Sequence, residues 1–222
     1  MVVKTSAGKH LVSVIITVYN RRDKVRRALQ SVFEQTFKDI EIILIDDGST
    51  DNLENNIAEL VNSGSKLIYI KHSNKGTVLS LNTGIKLSSG KYITFLDSDD
   101  LYETTHIEKR IKYSETHKDV DIIHSSARII GDEKNMFVPD ARNTNKLIHL
   151  SKCIIGGTIF GKRSAFVSLG GFREIYAYDY DFIQRAKTKF KVVKLNLPTY
   201  IYMRDSADSV LTNYKKLNFR EK

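Results

Sequence analysis

Short apolar runs of strand length alternate with helical patterns over the first hundred residues, and this alternation constrains the fold more than any other feature. "LVSVIITVY" (11–19) is almost wholly apolar and rich in β-branched residues, as a strand covered on both faces must be. The segment after it, "NRRDKVRRALQSVFEQTF", sets Val25, Ala28, Leu29, Val32 and Phe33 at the spacing of an amphipathic helix. "IEIILI" (40–45) predicts a second buried strand, and Ile57, Leu60 and Val61 a helical stripe behind it. "KLIYI" (66–70) is a third strand, followed by a helix through about Leu87, and "KYITFL" (91–96) is a fourth. Strands alternating with helices build βαβ units. The expected fold class is therefore α/β, with a mainly parallel central sheet flanked by helices. Ligands of such sheets bind beyond the carboxyl ends of the strands. Asp46, Asp47, Asp97 and Asp99 all follow strand ends, so they are expected to converge on one sheet edge.

The second half is less regular. A helix is predicted around 103–117 and a strand at "VDIIH" (120–124). Residues 131–146 are polar and read as a loop. "CIIGGTIFGK" (153–162) reads as a strand whose glycines admit a close neighbour. "SAFVSLGGF" (164–172) predicts a short helix ending in a glycine turn. "DYDFIQRAKTKF" (179–190) predicts another helix, with two acids at its positive end. "KVVKL" and "TYIYM" read as late strands. Two prolines in 222 residues leave no obvious interdomain linker, so residues 1–222 are read as one domain.

Composition narrows the partners. The chain carries 35 Lys and Arg against 26 Asp and Glu, a net charge of +9, which favours anionic partners. The basic residues form no recognised nucleic-acid motif, and such a role would leave the acids unexplained. The single Cys153 excludes an internal disulfide and suits a reducing compartment. No apolar stretch approaches the roughly 20 residues of a membrane span, and "MVVKTSAGKH" lacks the apolar core of a signal peptide. The expected location is the cytoplasm, free or peripheral at a membrane.

The acids carry the chemistry. "YITFLDSDDLYE" (92–103) runs a strand into Asp97, Asp99 and Asp100. Asp-Ser-Asp in a turn can present two carboxylates to one hard cation, and Mg²⁺ and Mn²⁺ take oxygen ligands of this kind. Alone, the stretch also reads as an acidic turn. An EF-hand loop from Asp97 would need an oxygen ligand at Leu101 and glycine at Tyr102, and has neither. A P-loop sequence is absent. "DDGSTD" (46–51) is likewise turn-like by itself.

The combination is more specific. "VSVIITVYN", "QTFKDIEIILIDDGSTDN" and "SSGKYITFLDSDD" occur in this order over residues 11–101, with "LGGFREIYAYDYDFIQRA" continuing the match toward residue 209. Together they resemble the family 2 glycosyltransferases of the GT-A fold. The resemblance implies a Rossmann-like sheet with a smaller acceptor-side subregion. It implies a nucleotide-sugar-binding half at 11–102 and an acceptor-binding half at 103–210, leaving a basic tail at 211–222. It implies that Thr17, Val18 and Tyr19 lie along the nucleotide base and that Asp47 hydrogen-bonds it. It places Asn82 near the donor, Asp97 and Ser98 in the donor site, and a divalent metal, Mn²⁺ or Mg²⁺, on Asp99. Asp179 takes the position of the family's catalytic base. Tyr178 stands where the family has glutamate, and the gap after Gly170-Gly171-Phe172 is short, with Asp181 as the alternative base. No histidine lies near "YMRDSADSV", where Arg204 is a substitute.

The activity implied is inverting transfer of a sugar from a nucleotide-diphosphate donor, UDP-linked, to a hydroxyl of a growing glycan or lipid-linked saccharide, as in polysaccharide biosynthesis. Two alternatives remain at this point. A catalytically silent nucleotide-sugar-binding module would explain Tyr178. A sugar-phosphate nucleotidyltransferase would need a glycine-rich signature where this chain has "VIITVYNRR".

Overall fold

The structure, a computed structural model, describes residues 2–3, 11–62 and 66–204, with the backbone alone at 2–3 and 61–62. The proposed basic tail at 211–222 lies outside the described residues. In chain order the elements are β1 (Val2–Val3), β2 (Val12–Val18), α1 (Arg22–Phe33), β3 (Ile40–Asp46), α2 (Leu53–Asn62), β4 (Leu67–Lys71), α3 (Thr77–Leu87), β5 (Tyr92–Asp97) and β6 (Leu101–Tyr102). They continue with α4 (His106–Thr116), β7 (Ile122–Ser125), β8 (Arg128–Ile130), β9 (Phe137–Asp140), β10 (Asn143–His149), β11 (Phe160–Lys162), α5 (Arg163–Ser168), α6 (Tyr178–Lys187), β12 (Val192–Leu195) and β13 (Tyr200–Met203).

The central sheet has the order β1-β4-β3-β2-β5-β11-β7-β12. β4, β3, β2 and β5 run parallel. β11 is inserted antiparallel between β5 and β7, which restores β7 and β12 to the direction of β5. All seven residues of β2 are buried, because side chains alternate between two covered faces. Val12, Val14, Ile16 and Val18 join one core with Val25, Leu29 and Val32 of α1. Ile15 joins the other with Leu81 and Ile85 of α3 and Phe166 of α5. This is the mixed α/β, GT-A-like arrangement expected, with a large and mostly parallel central sheet. Among the described residues no helix is long and apolar enough to cross a membrane.

Two elements differ from the expectation. Residues 131–146 are not simply a loop, because β9 and β10 form an antiparallel ribbon there. Its strands expose most of β10, and only Met136, Val138 and Leu150 make a small core beneath it, so the alternation that announces a strand is faint. Pro139 fits only because the ribbon is all edge. In 153–162, the strand is confined to Phe160–Lys162, and 156–158 form a tight helical turn instead. The predicted close approach does occur: a Cβ at Gly157 would overlap the ring edge and hydroxyl of Tyr200. β13 joins a separate three-stranded sheet in the order β6-β13-β8, which ties the end of the described chain to the turn after β5.

α3 crosses β2 closely at Gly84, where a Cβ would overlap the Cγ2 of fully buried Ile15. A β-branched side chain is stiff and cannot turn aside. Gly84→Ala gains about 1 kcal/mol of helix propensity but overpacks the core at about 1–3 kcal/mol. The expected outcome is a net loss of about 1 kcal/mol, read as a lower denaturation midpoint in urea.

Candidate active site

The order β4-β3-β2-β5 makes β2 the point where the chain reverses its direction of travel across the sheet, so a crevice opens beyond its carboxyl end. Thr17 pairs in register with Asp97 and Val18 with Asp46. A cavity of about 1190 Å³ occupies this edge. Thr17, Val18, Tyr19, Asp47, Asp97, Ser98, Asp99 and Asp179 all line it. Tyr19 is 48% exposed and presents an open ring at the mouth.

Asn82 does not line the cavity. Its amide donates to the Phe172 carbonyl (2.8 Å) and accepts from the Phe172 N–H (2.8 Å). It thereby pins the turn at Gly170 and Gly171, whose φ angles of 71° and 73° suit glycine. Asp181 serves the same turn. It pairs with Arg185 (2.7 Å), whose guanidinium donates to the carbonyls of Leu169 and Gly171. Arg204 is buried, with its Nε donating to the Asn135 carbonyl (3.0 Å).

The two aspartates of "DDGS" divide the work. Asp46 is fully buried and accepts from the Ser49 N–H and the Tyr69 hydroxyl, both at 2.7 Å, closing the acidic turn on itself. Asp47 accepts from the backbone N–H groups of Lys75 (2.7 Å) and Gly76 (2.9 Å). It holds the entry to α3 while still facing the cavity.

The three aspartates after β5 have three different surroundings. Asp100 is 1% exposed. It accepts from the Tyr200 hydroxyl (2.6 Å) and the Met203 N–H (2.8 Å), so it is a fastening for β13. Asp99 meets the guanidinium of Arg21 at 2.9 Å. Asp97 is less well answered: its backbone N–H donates to the Tyr200 hydroxyl, and its carboxyl is pushed up to about 7 by burial and by Asp99, with Arg21 and a Tyr200 hydrogen bond pulling the other way. The strand edge of the cavity therefore carries negative charge that Arg21 answers only in part.

Asp179 stands at the start of α6, across the same cavity. Burial raises its carboxyl to about 6, against hydrogen bonds from the backbone of Tyr180, Asp179 and Gly156 that favour the ionised form. The residue before α6, Ala177, is left-handed at φ 52°, ψ 49°, a conformation that costs an L-residue about 1–2 kcal/mol. That strained turn aims the helix start at the cavity. Tyr178 packs edge-on to Phe172, with ring centroids 5.4 Å apart, and its side chain also lines the cavity.

The chain matches the profile of Glycosyl transferase family 2 over residues 13–170. It belongs to that family. Among curated relatives, an uncharacterized glycosyltransferase of Rickettsia prowazekii is 35% identical over 183 residues, covering 77% of this chain and 57% of the relative. The Escherichia coli UDP-Glc:alpha-D-GlcNAc-diphosphoundecaprenol beta-1,3-glucosyltransferase WfaP is 42% identical over 109 residues, covering 49% of this chain and 43% of that protein. Staphylococcus aureus TarS 1–349 in complex with UDP-GlcNAc superposes with a TM-score of 0.72 at 19% identity, over 91% of this chain and 60% of that one. The Pyrobaculum calidifontis mannosyltransferase PcManGT, in complex with GDP-Man and Mn²⁺, gives 0.72 at 16% identity, over 94% and 60%. The likeness to TarS and PcManGT shows the shared fold. This glycosyltransferase-family chain spans 57%, 21% and 59% of the length of three Rickettsia relatives.

Arg21, Asp100 and Tyr200 went unassigned in the sequence reading. Arg21 is one of three arginines within six residues, and nothing in the sequence separates it from its neighbours. Tyr200 lies 100 residues from its partner Asp100, so only the fold joins them. Tyr200→Phe removes the hydroxyl that donates to Asp100 and leaves a buried carboxyl group with one partner fewer. The expected loss is about 1–3 kcal/mol, measured by chemical denaturation.

Proposed function

We propose that the chain is an inverting glycosyltransferase that moves a sugar from a nucleotide-diphosphate donor, UDP-linked, onto a hydroxyl of a saccharide or lipid-linked saccharide. The observation that carries this is the facing arrangement of two acidic groups across one cavity: Asp97 and Asp99 at the strand edge, Asp179 at the start of α6. Family membership supports the reading. So does the donor nucleotide-sugar named for TarS and PcManGT. WfaP acts, by its name, on a diphosphoundecaprenol-linked sugar, which favours a lipid-linked acceptor here.

In this proposal Tyr19 gives the base an apolar face, Thr17 and Val18 border it, and Asp47 takes a hydrogen bond from it. Asp97 and Ser98 meet the ribose and diphosphate side. Asp179 removes the proton of the acceptor hydroxyl as it attacks the anomeric carbon opposite the departing nucleotide. A carboxylate raised to about 6 is still ionised at neutral pH and is a stronger base than an ordinary aspartate. One displacement inverts the anomeric centre.

The residues fit a divalent metal. The donor set at the strand edge is oxygen only, which suits a hard cation such as Mg²⁺ or Mn²⁺, and the charge there is only partly answered by Arg21. Among the described residues no cluster of three or more His, Cys, Asp or Glu side chains could enclose a metal without help, so Asp99 would hold it jointly with donor phosphates. When bound, it would stabilise charge on the leaving diphosphate.

UDP release from a panel of UDP-sugars with Mn²⁺ tests the reading. Asp179→Asn is expected to lower kcat about 10²–10⁴-fold while calorimetry finds UDP binding retained. Asp99→Ala is expected to weaken Mn²⁺-dependent UDP binding by about tenfold or more. In the native chain kcat/KM should fall about tenfold per pH unit below about 6, as Asp179 becomes protonated. UDP binding without turnover of any donor would leave a silent binding module, and the transferase reading would fail.

A further inference from the structure

The far end of the cavity carries the opposite charge. Tyr180, Gln184 and Lys187 of α6 all line it, at the i, i+4, i+7 spacing of one helix stripe. The stripe runs from Asp179 for about 12 Å, eight residues at 1.5 Å each. The floor beside it is formed by β7 and β12. His124 and Lys194 are register partners on these parallel strands, side by side at the strand spacing of about 4.8 Å. Alternation sets the face: Ile122 and Val192, two residues earlier on each strand, pack into the core with Ile183 and Ala186 of α6. His124 and Lys194 therefore project on the α6 side, and both line the cavity with Lys187.

His124 is 7% exposed and, among the described residues, its ring nitrogens make no hydrogen bond. Lys187 and Lys194 make no ion pair among the described residues. The His124 imidazole is pushed down to about 4 by burial and then by the charges of Lys187 and Lys194, which confirms that the three groups share one field. Like charges gathered on a concave surface around an unpartnered buried imidazole favour an anion.

We infer that His124, Lys187 and Lys194 form a second anion subsite that receives the phosphate or diphosphate group of the acceptor. The inference rests on the transferase reading above and deepens it. It places the acceptor hydroxyl at Asp179 and the acceptor's phosphate down the α6 stripe, well away from the acidic donor edge. A neutral glycan acceptor would make no use of the charge gathered here.

The probe is inorganic phosphate, added to the full chain with its histidine rings isotope-labelled for NMR. The His124 signals should shift, and the His124 pKa should rise, because a bound anion stabilises the imidazolium. Lys187→Met combined with Lys194→Met should lower phosphate affinity about tenfold or more. UDP–Mg²⁺ affinity should stay unchanged, since both lysines are exposed and lie outside the donor site. Preloading with UDP–Mg²⁺ should leave phosphate bound. Competition by UDP would assign the cluster to the donor's own diphosphate and overturn the inference. Phosphate binding that ignores the double substitution, or no His124 shift, overturns it too. Vesicles of phosphatidylglycerol should not move the His124 signals. A shift by vesicles and none by phosphate would make the cluster a membrane contact. The transferase reading fails separately, on UDP binding and turnover, whatever phosphate does.

Discussion

Everything at this site depends on the cost of setting several carboxylates within one partly dry cavity. Asp97, Asp99 and Asp100 follow one another at the end of β5, and Asp179 faces them. Like charges so close are unfavourable unless each is answered. The chain answers two of them internally. Asp100 is turned into the protein and capped by Tyr200 and Met203. Asp99 is met by Arg21. Burial still raises the proton affinity of Asp97, Asp100 and Asp179, and of these Asp97 and Asp179 line the cavity.

The same accounting explains the architecture of the second half. Asp100 fastens β13, and β13 pairs with β6 and β8. Tyr200 also lies against Gly157, in the turn that reaches Asp179 through Gly156. One buried carboxylate thus links the acidic turn after β5 to the wall that carries Asp179. Losing it would loosen both the acidic turn, where the Asp100 N–H donates to the Asp97 carbonyl, and its tie to the opposite wall.

Much of this was legible in the sequence where the signal is local. The β2, β3, β4 and β5 runs are apolar because both faces are covered, and that composition survives in any register. Asp97 and Asp99 stand out locally because they follow a strand end directly, whereas Asp179 is named only through the family resemblance, since acids at a helix start also suit its positive end. Asn82 was misleading because an amide that pins a distant turn at Phe172 has the same sequence appearance as one facing a ligand. The β9–β10 ribbon was hidden because most of it packs against nothing. Arg21, Tyr200 and the His124–Lys194 pair are defined by partners far away in the chain, and no periodicity reports such pairs.

Charge is sorted along the cavity rather than mixed within it. The strand edge is acidic and the β7–β12 floor is basic, with the start of α6 between them. On the proposed reading, a donor diphosphate would need a cation at the acidic edge and an acceptor phosphate would need none at the basic floor, so two substrates carrying the same group would be kept to their own ends. Arg21 moderates this separation: paired with Asp99, it answers part of the negative charge at the strand edge. Under the proposed subsite, a phosphate would gain more at His124, Lys187 and Lys194, and electrostatics would orient the acceptor with its hydroxyl toward Asp179 before any sugar-specific contact is made.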